Sequence, residues 1–305
     1  MNYHSIATAG VVLPPAKTID IDGVQTSYHV AGSGQPIVFI YGGNFGSADS
    51  APSAHAWNLN FVPLAERFQV IAFDKIGQGF TGNPLRDADY SMAAVVRHAA
   101  AFMTALKLPP AHIVGHSRGG FAATRLALEY PHLVRALTIV SSGTLSPRVS
   151  TNEVALSKCP HPPFTRESAR WIYEGYCFSP STVTEDWIDK VYEVLQLPKY
   201  GESVKKIVDE QLGSRVFLPE LAKQKRETLQ WLSEGRLQRP TQIIFGRNDP
   251  TVAVEGAFDL FGAVAAHQRK TELHIINQAG HFSYREHPER FNALLGDFVE
   301  LVERW

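Results

Sequence analysis

Cysteine is scarce in this 305-residue chain, which contains two cysteines, Cys159 and Cys177. Two cysteines are too few for a disulfide framework, so we expect reduced thiols and a cytoplasmic protein. The sequence also lacks a run of about 18 apolar residues, which a membrane-spanning helix requires. Residues 1–17 lack the basic region and the apolar region of a signal peptide.

Neither sign of charge is in excess. Lysine and arginine number 29 against 30 aspartate and glutamate, which gives a formal net charge of −1. A nucleic acid or an anionic membrane surface requires a concentrated basic surface, so we expect neither as a partner. We expect a small-molecule substrate instead, and the sequence leaves a homo-oligomer open.

Signatures of cofactor and metal sites are missing as well. The glycine-rich turn at 74–82 lacks the Gly-Lys-Ser/Thr ending of a phosphate-binding P-loop. No group of histidine, aspartate and glutamate residues has metal-ligand spacing. We therefore expect neither a cofactor nor a metal ion.

What the sequence does contain is a Gly-x-Ser-x-Gly segment at 115–119. An apolar run leads into this segment, and a helix-forming run over 121–130 follows it. This strand–turn–helix context is typical of a nucleophile elbow, in which the glycines permit a sharp turn and Ser117 stands exposed. The backbone N–H of Arg118 and the start of the helix would then favour developing negative charge beside the serine.

Apolar strands alternate with helical runs on both sides of this segment. After a hairpin over 18–31, buried strands are predicted at 36–41 and 68–73, and further strands at 133–140, 241–245 and 271–276. The alternation predicts an α/β fold with a mostly parallel central sheet and helices on both faces. Between 145 and 239 the pattern changes to proline-interrupted helical pieces. We therefore predict a core domain of 1–144 and 240–305 and a helical cap domain of 145–239.

Three polar residues each follow a separate predicted strand. Ser117, Asp249 and His281 come after the carboxyl ends of their strands, where ligands bind in an open α/β sheet. A serine hydroxyl needs a base within hydrogen-bond reach, and an imidazole base needs an acid that fixes its tautomer. We predict Ser117 as the nucleophile, His281 as the base and Asp249 as the acid.

Twelve histidines compete for the role of the base. His116 adjoins the nucleophile, but adjacent side chains diverge at a sharp turn. His112 begins a strand and His287 heads the last helix, whereas His281 lies in a Gly-His loop after the last strand. The acid is chosen by elimination, because the turn after the strand that ends at Val140 carries no carboxylate.

Five motifs together resemble the α/β-hydrolase superfamily over nearly the whole chain. They are Tyr-Gly-Gly-Asn at 41–44, Asp-Lys-Ile-Gly-Gln-Gly at 74–79, Gly-His-Ser-Arg-Gly-Gly at 115–120, Gly-Arg-Asn-Asp at 246–249 and Gly-His-Phe at 280–282. The order Ser…Asp…His is also that of the α/β-hydrolases. The resemblance implies the α/β-hydrolase fold with a helical cap insertion.

Within the superfamily, the chain looks most like the meta-cleavage-product hydrolases. These enzymes hydrolyse a carbon–carbon bond next to a ketone in vinylogous 1,5-diketones from the catabolism of aromatic compounds. The similarity rests on the long loop after 42–43, on the helical cap and on the aromatic residue after His281. It implies cofactor-free hydrolysis in which His281 first helps a dienol to become a ketone.

The resemblance also implies a binding site. Backbone N–H groups of Gly42, Gly43 and Arg118 would form the oxyanion hole. Lys190 stands near the place where the family has an arginine that contacts the substrate, so we expect it to hold an anionic substrate. The alternative is a solvent-exposed charge beside Asp186 and Glu193. The other residues expected to contact substrate are Asn44, Trp57, Asn58, His116, Trp187, Val191, Trp231 and Phe282.

Other functions could use the same residues. A carboxylesterase or lactonase needs the same triad, and Gly-His-Ser at 115–117 is also an esterase pattern. A small-molecule receptor on a hydrolase scaffold is a further alternative, although the filled triad positions argue against pure binding. A cofactorless peroxidase or dioxygenase is the remaining one. Turnover of a p-nitrophenyl ester compared with a dienol dione would separate these functions.

Overall fold

Eight strands form one sheet in the computed structural model, which describes residues 11–43, 45–147 and 159–305. In chain order the strands are β1 (Lys17–Ile21), β2 (Val24–Ala31), β3 (Pro36–Ile40), β4 (Gln69–Phe73), β5 (Ala111–His116), β6 (Val134–Val140), β7 (Thr241–Gly246) and β8 (Thr271–Ile276). They lie in the order β1-β2-β4-β3-β5-β6-β7-β8. β2 pairs antiparallel with β1 on one side and with β4 on the other. All pairs among β3 to β8 are parallel, which confirms the predicted sheet.

The central strands are apolar because both of their faces are covered. Every residue of β3 and β5 is buried, as expected for parallel strands between two helical layers. Successive side chains of β3 point to opposite faces. Val38 and Ile40 pack into the apolar cluster on one face, and Ile37 and Phe39 pack into the cluster on the other.

Ten α-helices surround the sheet in the described part of the chain. They are α1 (Asn58–Ala65), α2 (Met92–Ala105), α3 (Arg118–Glu129), α4 (Arg166–Tyr176), α5 (Glu185–Leu195), α6 (Pro198–Asp209), α7 (Leu218–Ser233), α8 (Glu255–Ala265), α9 (Ser283–Glu286) and α10 (Pro288–Glu303). α2, α3 and α8 contribute to the first apolar cluster, and α1 and α10 contribute to the second. None of these helices combines the length and the apolar character that a membrane crossing needs.

Helices α4 to α7 lie between β6 and β7 in the sequence. Thr184 caps α5 as its sequence predicts, because the threonine hydroxyl accepts a hydrogen bond from the Trp187 N–H at 3.4 Å. The described residues from 159 to 239 add no strand to the sheet. The division into a core domain of 1–144 and 240–305 and a cap domain of 145–239 stays a prediction.

Candidate active site

The predicted elbow is a strand–turn–helix junction between β5 and α3. Ser117 has a φ of 53°, a left-handed conformation that non-glycine residues rarely adopt and that marks a strained turn. The turn depends on its glycines. A Cβ atom on Gly115 would lie 2.3 Å from the Gly119 carbonyl oxygen, and one on Gly119 would lie 2.2 Å from the Ile40 carbonyl oxygen. Replacing either glycine would therefore displace the serine.

Asp249 and His281 form a hydrogen-bonded pair. His281 Nδ1 lies 2.7 Å from Asp249 Oδ2, and the side chain of Asp249 is fully buried. The second carboxylate oxygen, Oδ1, accepts hydrogen bonds from the backbone N–H groups of Thr251 and Val252 and from the Thr251 hydroxyl. An ionised carboxylate only accepts hydrogen bonds, so His281 carries its proton on Nδ1 and Nε2 is left to accept one.

The loop that carries His281 is held by the helical segment above it. The N–H of His281 donates to the carbonyl oxygen of Tyr176 at 2.9 Å. The carboxylate of Glu286 accepts hydrogen bonds from the N–H groups of Gly280 and of Phe178, at 2.7 and 2.8 Å. The end of α4 therefore fixes the backbone on which the imidazole is mounted.

His116 is a different kind of histidine. Its Nε2 lies 2.9 Å from the carbonyl oxygen of His281, and because a carbonyl accepts, Nε2 carries the proton. Burial lowers the pKa of His116 well below its usual value, and the neighbouring His281 adds to the effect. His116 is therefore neutral and a weaker base than an ordinary histidine.

The other histidines weighed from the sequence have structural contacts. His112 is buried, with Nε2 at 2.9 Å from the Thr138 hydroxyl. His287 precedes α10, and its Nε2 donates to the carbonyl oxygen of Gln278 at 2.8 Å. Neither side chain belongs to the lining of the cavity that contains Ser117.

The glycine segment after β3 lies directly against the serine. A Cβ atom on Gly42 would come within 2.9 Å of Ser117 Cβ, and Gly43 has a φ of 75°. Both positions therefore require glycine. Arg118 is the first residue of α3, and its backbone N–H belongs to the first turn, where N–H groups have no partner within the helix. Asn44 lies outside the described residues.

Ser117 and His281 line one cavity of about 620 Å³. Its floor is formed by residues that follow the strands, and its roof by residues of α4 and α7. Aromatic side chains form much of the wall. They are Tyr41, Tyr173, Tyr176, Phe282 and Tyr284.

Charged side chains of both signs reach this cavity. Its described lining residues include one aspartate, Asp49, one arginine, Arg118, and one lysine, Lys225. Lys225 comes from α7, opposite the sheet. The balance of these three charges favours an anionic over a cationic ligand.

Two of the residues expected to contact substrate pack inside the core instead. The ring of Trp57 stacks on Phe39 and on Tyr284, with centroid distances of 4.6 and 4.1 Å. Asn58 accepts a hydrogen bond from Arg285 at 2.7 Å. Neither Trp57 nor Asn58 lines the cavity, whereas His116 and Phe282 do.

The residues expected to contact substrate from the helical segment also lie outside the cavity lining. Lys190 forms an ion pair with Glu193 at 2.8 Å, and about half of each side chain is exposed, which matches the solvent-exposed alternative. Trp187 and Val191 are buried. Trp187 packs edge-on against Phe282 at 5.0 Å, so its influence on the cavity is indirect. The ring of Trp231 instead contacts the guanidinium groups of Arg125 and Arg236.

Several wall residues were not identified from the sequence. Tyr173 and Tyr176 come from α4, and Leu218, Leu221 and Lys225 come from α7. The spacings of three, three and four residues place each group on one side of its helix. That spacing was the available signal, but the sequence did not indicate which side faces the cavity.

A metal site is not formed by the described residues. Within 11–43, 45–147 and 159–305, no group of three histidine, cysteine, aspartate or glutamate residues could hold a metal ion.

Comparisons with known proteins identify the class. The sequence profile of the alpha/beta hydrolase fold matches residues 35–176, the part of the chain that includes β3, β4 and the elbow. Together with the sheet order and the similar proteins, this match shows that the chain has the α/β-hydrolase fold and is a hydrolase.

The similar proteins include meta-cleavage hydrolases. A 2-hydroxymuconate semialdehyde hydrolase of Pseudomonas sp. (strain CF600) is 27% identical over 285 residues, which are 91% of each chain. The 2-hydroxy-6-oxo-6-(2'-aminophenyl)hexa-2,4-dienoic acid hydrolase of Metapseudomonas resinovorans is 29% identical over 92% of this chain and 89% of its own. The solved meta-cleavage product hydrolase CumD of Pseudomonas fluorescens IP01 superposes with a TM-score of 0.74 at 27% identity, over 93% of this chain and 97% of that chain.

Proposed function

We propose that this protein is a serine hydrolase that cleaves a carbon–carbon bond next to a ketone in an acidic, meta-cleavage-product-like compound. The observation that carries the proposal is the Asp249–His281 pair in the same cavity as Ser117 on its elbow. The names of the similar hydrolases support the substrate class, because the compounds they specify include a dienoic acid.

In the proposed reaction, His281 first assists the change of a dienol to its keto form. Nε2 of His281 then takes the proton of Ser117 while the serine oxygen bonds to the ketone carbon. The oxyanion that forms is held by the N–H groups of Gly43 and Arg118. When the C–C bond breaks, its electron pair leaves with the carbon fragment, which takes up a proton. Water then hydrolyses the acyl-serine and releases a carboxylic acid.

The cavity suits a conjugated acid. Tyrosine and phenylalanine rings line it, and these offer apolar surface to a planar chain of conjugated carbons. Lys225 and Arg118 supply positive charge for a carboxylate. We therefore assign recognition of the anionic group to this pair rather than to Lys190.

The experiment is a direct comparison of two substrates. We expect kcat/KM for a 2-hydroxy-6-oxo-dienoic acid to exceed that for p-nitrophenyl acetate by about 100-fold or more, since only the acid uses the whole cavity. Mass spectrometry of the products should show the two acids that C–C cleavage yields. The Ser117→Ala variant is the control for background decay. An ester preference, or absence of cleaved products, would contradict the C–C assignment.

A carboxylesterase is the second candidate function. The observation that favours it is His116, a neutral imidazole at the residue before Ser117, which gives the Gly-His-Ser pattern that esterases also have. The triad and the oxyanion groups would serve an ester equally well. The same pair of substrates separates the two functions.

We also propose a cytoplasmic location for the enzyme. Cys159 and Cys177 are both free thiols in the structure, which supports a reducing compartment. Oxidation state in cell extracts can be read by thiol alkylation and mass spectrometry, and a disulfide between the two would contradict this location.

A further inference from the structure

Lys75 is a buried lysine that the proposed mechanism does not use, and burial lowers the pKa of its side chain well below the usual value. It follows β4, the strand that pairs in parallel with β3, so it emerges beside the Gly42–Gly43 segment at the same edge of the sheet. Only 1% of Lys75 is exposed. Its ammonium group forms no ion pair with a carboxylate in the described part of the chain, although burying a charge in this way is costly.

The partners of this ammonium group are backbone carbonyls. Lys75 Nζ donates to the carbonyl oxygen of Gly42 at 2.7 Å and to that of Gly43 at 3.1 Å. It also lies 4.6 Å from the centre of the Tyr41 ring, a cation–π contact. Three consecutive residues of the segment beside Ser117 therefore contact one side chain.

The direction of these bonds determines where the N–H groups point. In a planar trans peptide the carbonyl and the following N–H point in opposite directions. Because the Gly42 carbonyl points toward Lys75, the N–H of Gly43 points away from Lys75. Gly42 lies against Ser117 on the cavity side. The Gly43 N–H is the group expected to bind the oxyanion.

We propose that Lys75 is a positioning residue for the oxyanion hole, which acts through the Gly42–Gly43 peptide on the negative charge formed at Ser117. It holds a glycine segment, which would otherwise be free to rotate, in the donor orientation before the reaction begins. This inference rests on the proposed role of Ser117, but not on the identity of the bond cleaved.

The test measures reaction of Ser117 with a fluorophosphonate, whose phosphonyl oxygen enters the oxyanion hole as the bond between Ser117 and phosphorus forms. Lys75→Met removes both hydrogen bonds to the Gly42 and Gly43 carbonyls. We expect the maximal rate of phosphonylation, kinact, to fall about 10- to 100-fold. This loss should not exceed the loss that follows deletion of a direct oxyanion donor. The half-saturating concentration, KI, should change little, because ground-state binding does not use the hole.

Lys199→Met is the matched control. Lys199 is half-buried, and its Nζ donates to a backbone carbonyl, that of Thr81 at 2.5 Å, in the loop that follows Lys75. It does not line the cavity. A general effect of removing a carbonyl-bound lysine from this region would lower kinact in both variants, whereas the proposal predicts a loss in Lys75→Met alone.

A second variant guards against misfolding. Lys75→Gln keeps a polar end but is shorter and uncharged, so it should show the same fall in kinact if Lys75→Met fails to fold. Circular dichroism and the melting temperature check the fold of each variant. Wild-type kinact in a folded Lys75 variant would overturn the proposal while leaving Ser117 as the nucleophile. Failure of the fluorophosphonate to label the wild-type enzyme would instead overturn the proposed function and this inference with it.

Discussion

Replacement of Asp249 by asparagine tests the geometry of the site most specifically. In the native site, Oδ1 accepts three hydrogen bonds from 251 and 252, and Oδ2 accepts the proton of His281 Nδ1. An amide oxygen can keep the three bonds to Oδ1, which leaves its NH₂ group facing Nδ1. A donor there forces the imidazole proton onto Nε2, so that His281 cannot accept the proton of Ser117.

The expected loss is therefore large and confined to catalysis. In the serine protease for which the same change has been described, kcat falls roughly 10⁴-fold, and we expect a similar loss here. This corresponds to about 5.4 kcal/mol of lost transition-state stabilisation. Because most hydrogen bonds of the buried side chain persist, we expect the protein to stay folded.

The assay is steady-state kinetics on the acid substrate, with urea denaturation as the check of folding. Glu272→Gln is the matched control, because Glu272 pairs with His274 at 3.1 Å on β8, outside the cavity lining. That variant should keep wild-type activity. An Asp249→Asn enzyme within tenfold of the wild type would refute the assignment of the acid.

Three further predictions test separate parts of the account. Ser117→Ala should lower kcat by roughly 10³-fold or more, and adding His281→Ala should cost little more, because triad members act as one unit; additive losses would point to another base. Lys190→Ala should change KM less than about twofold for an acid and for a neutral ester, since an exposed ion pair contributes little, and a tenfold rise for the acid alone would restore its predicted role. Burial lowers the pKa of His112 to about 3. In the unfolded protein this histidine gains a proton below about pH 6.5, whereas in the folded protein it stays neutral. The free energy of unfolding therefore falls as the pH is lowered. Between pH 7 and pH 5 the free energy of unfolding should therefore fall by about 2 kcal/mol less in His112→Gln than in the wild type. Urea denaturation at the two pH values measures this difference, and an equal fall in both proteins would contradict it.

The central strands could be predicted because they are buried on both faces. A continuous apolar run such as β3 is recognisable without knowledge of its neighbours. The helical segment was harder to read. Pro198, which suggests an interruption in the sequence, is the first residue of α6, a position where proline lacks a hydrogen bond to lose.

Only part of the candidate site could be predicted from the sequence. The position of Ser117 follows from local sequence, and the positions of Asp249 and His281 follow from the rule that ligands bind at the carboxyl ends of parallel strands. The cavity wall depends instead on which side of each helix packs inward. Trp57 looked suitable as a contact for substrate, but its large ring fills the core between Phe39 and Tyr284.

Lys75 shows a further limit of sequence reasoning. The motif at 74–79 is visible in the sequence, yet nothing in it indicates that the lysine side chain contacts the loop that follows β3. That contact exists because β3 and β4 are neighbours in the sheet, and it needs the three-dimensional positions of Gly42 and Gly43.

The central claim is that Ser117 is a nucleophile activated by the Asp249–His281 pair. Intact-protein mass spectrometry after treatment with a fluorophosphonate, followed by peptide mapping, tests it most directly. The account predicts a single phosphonyl adduct on Ser117, formed rapidly by the wild type and far more slowly by Asp249→Asn. An adduct on another residue, or equal labelling rates in the two proteins, would contradict it.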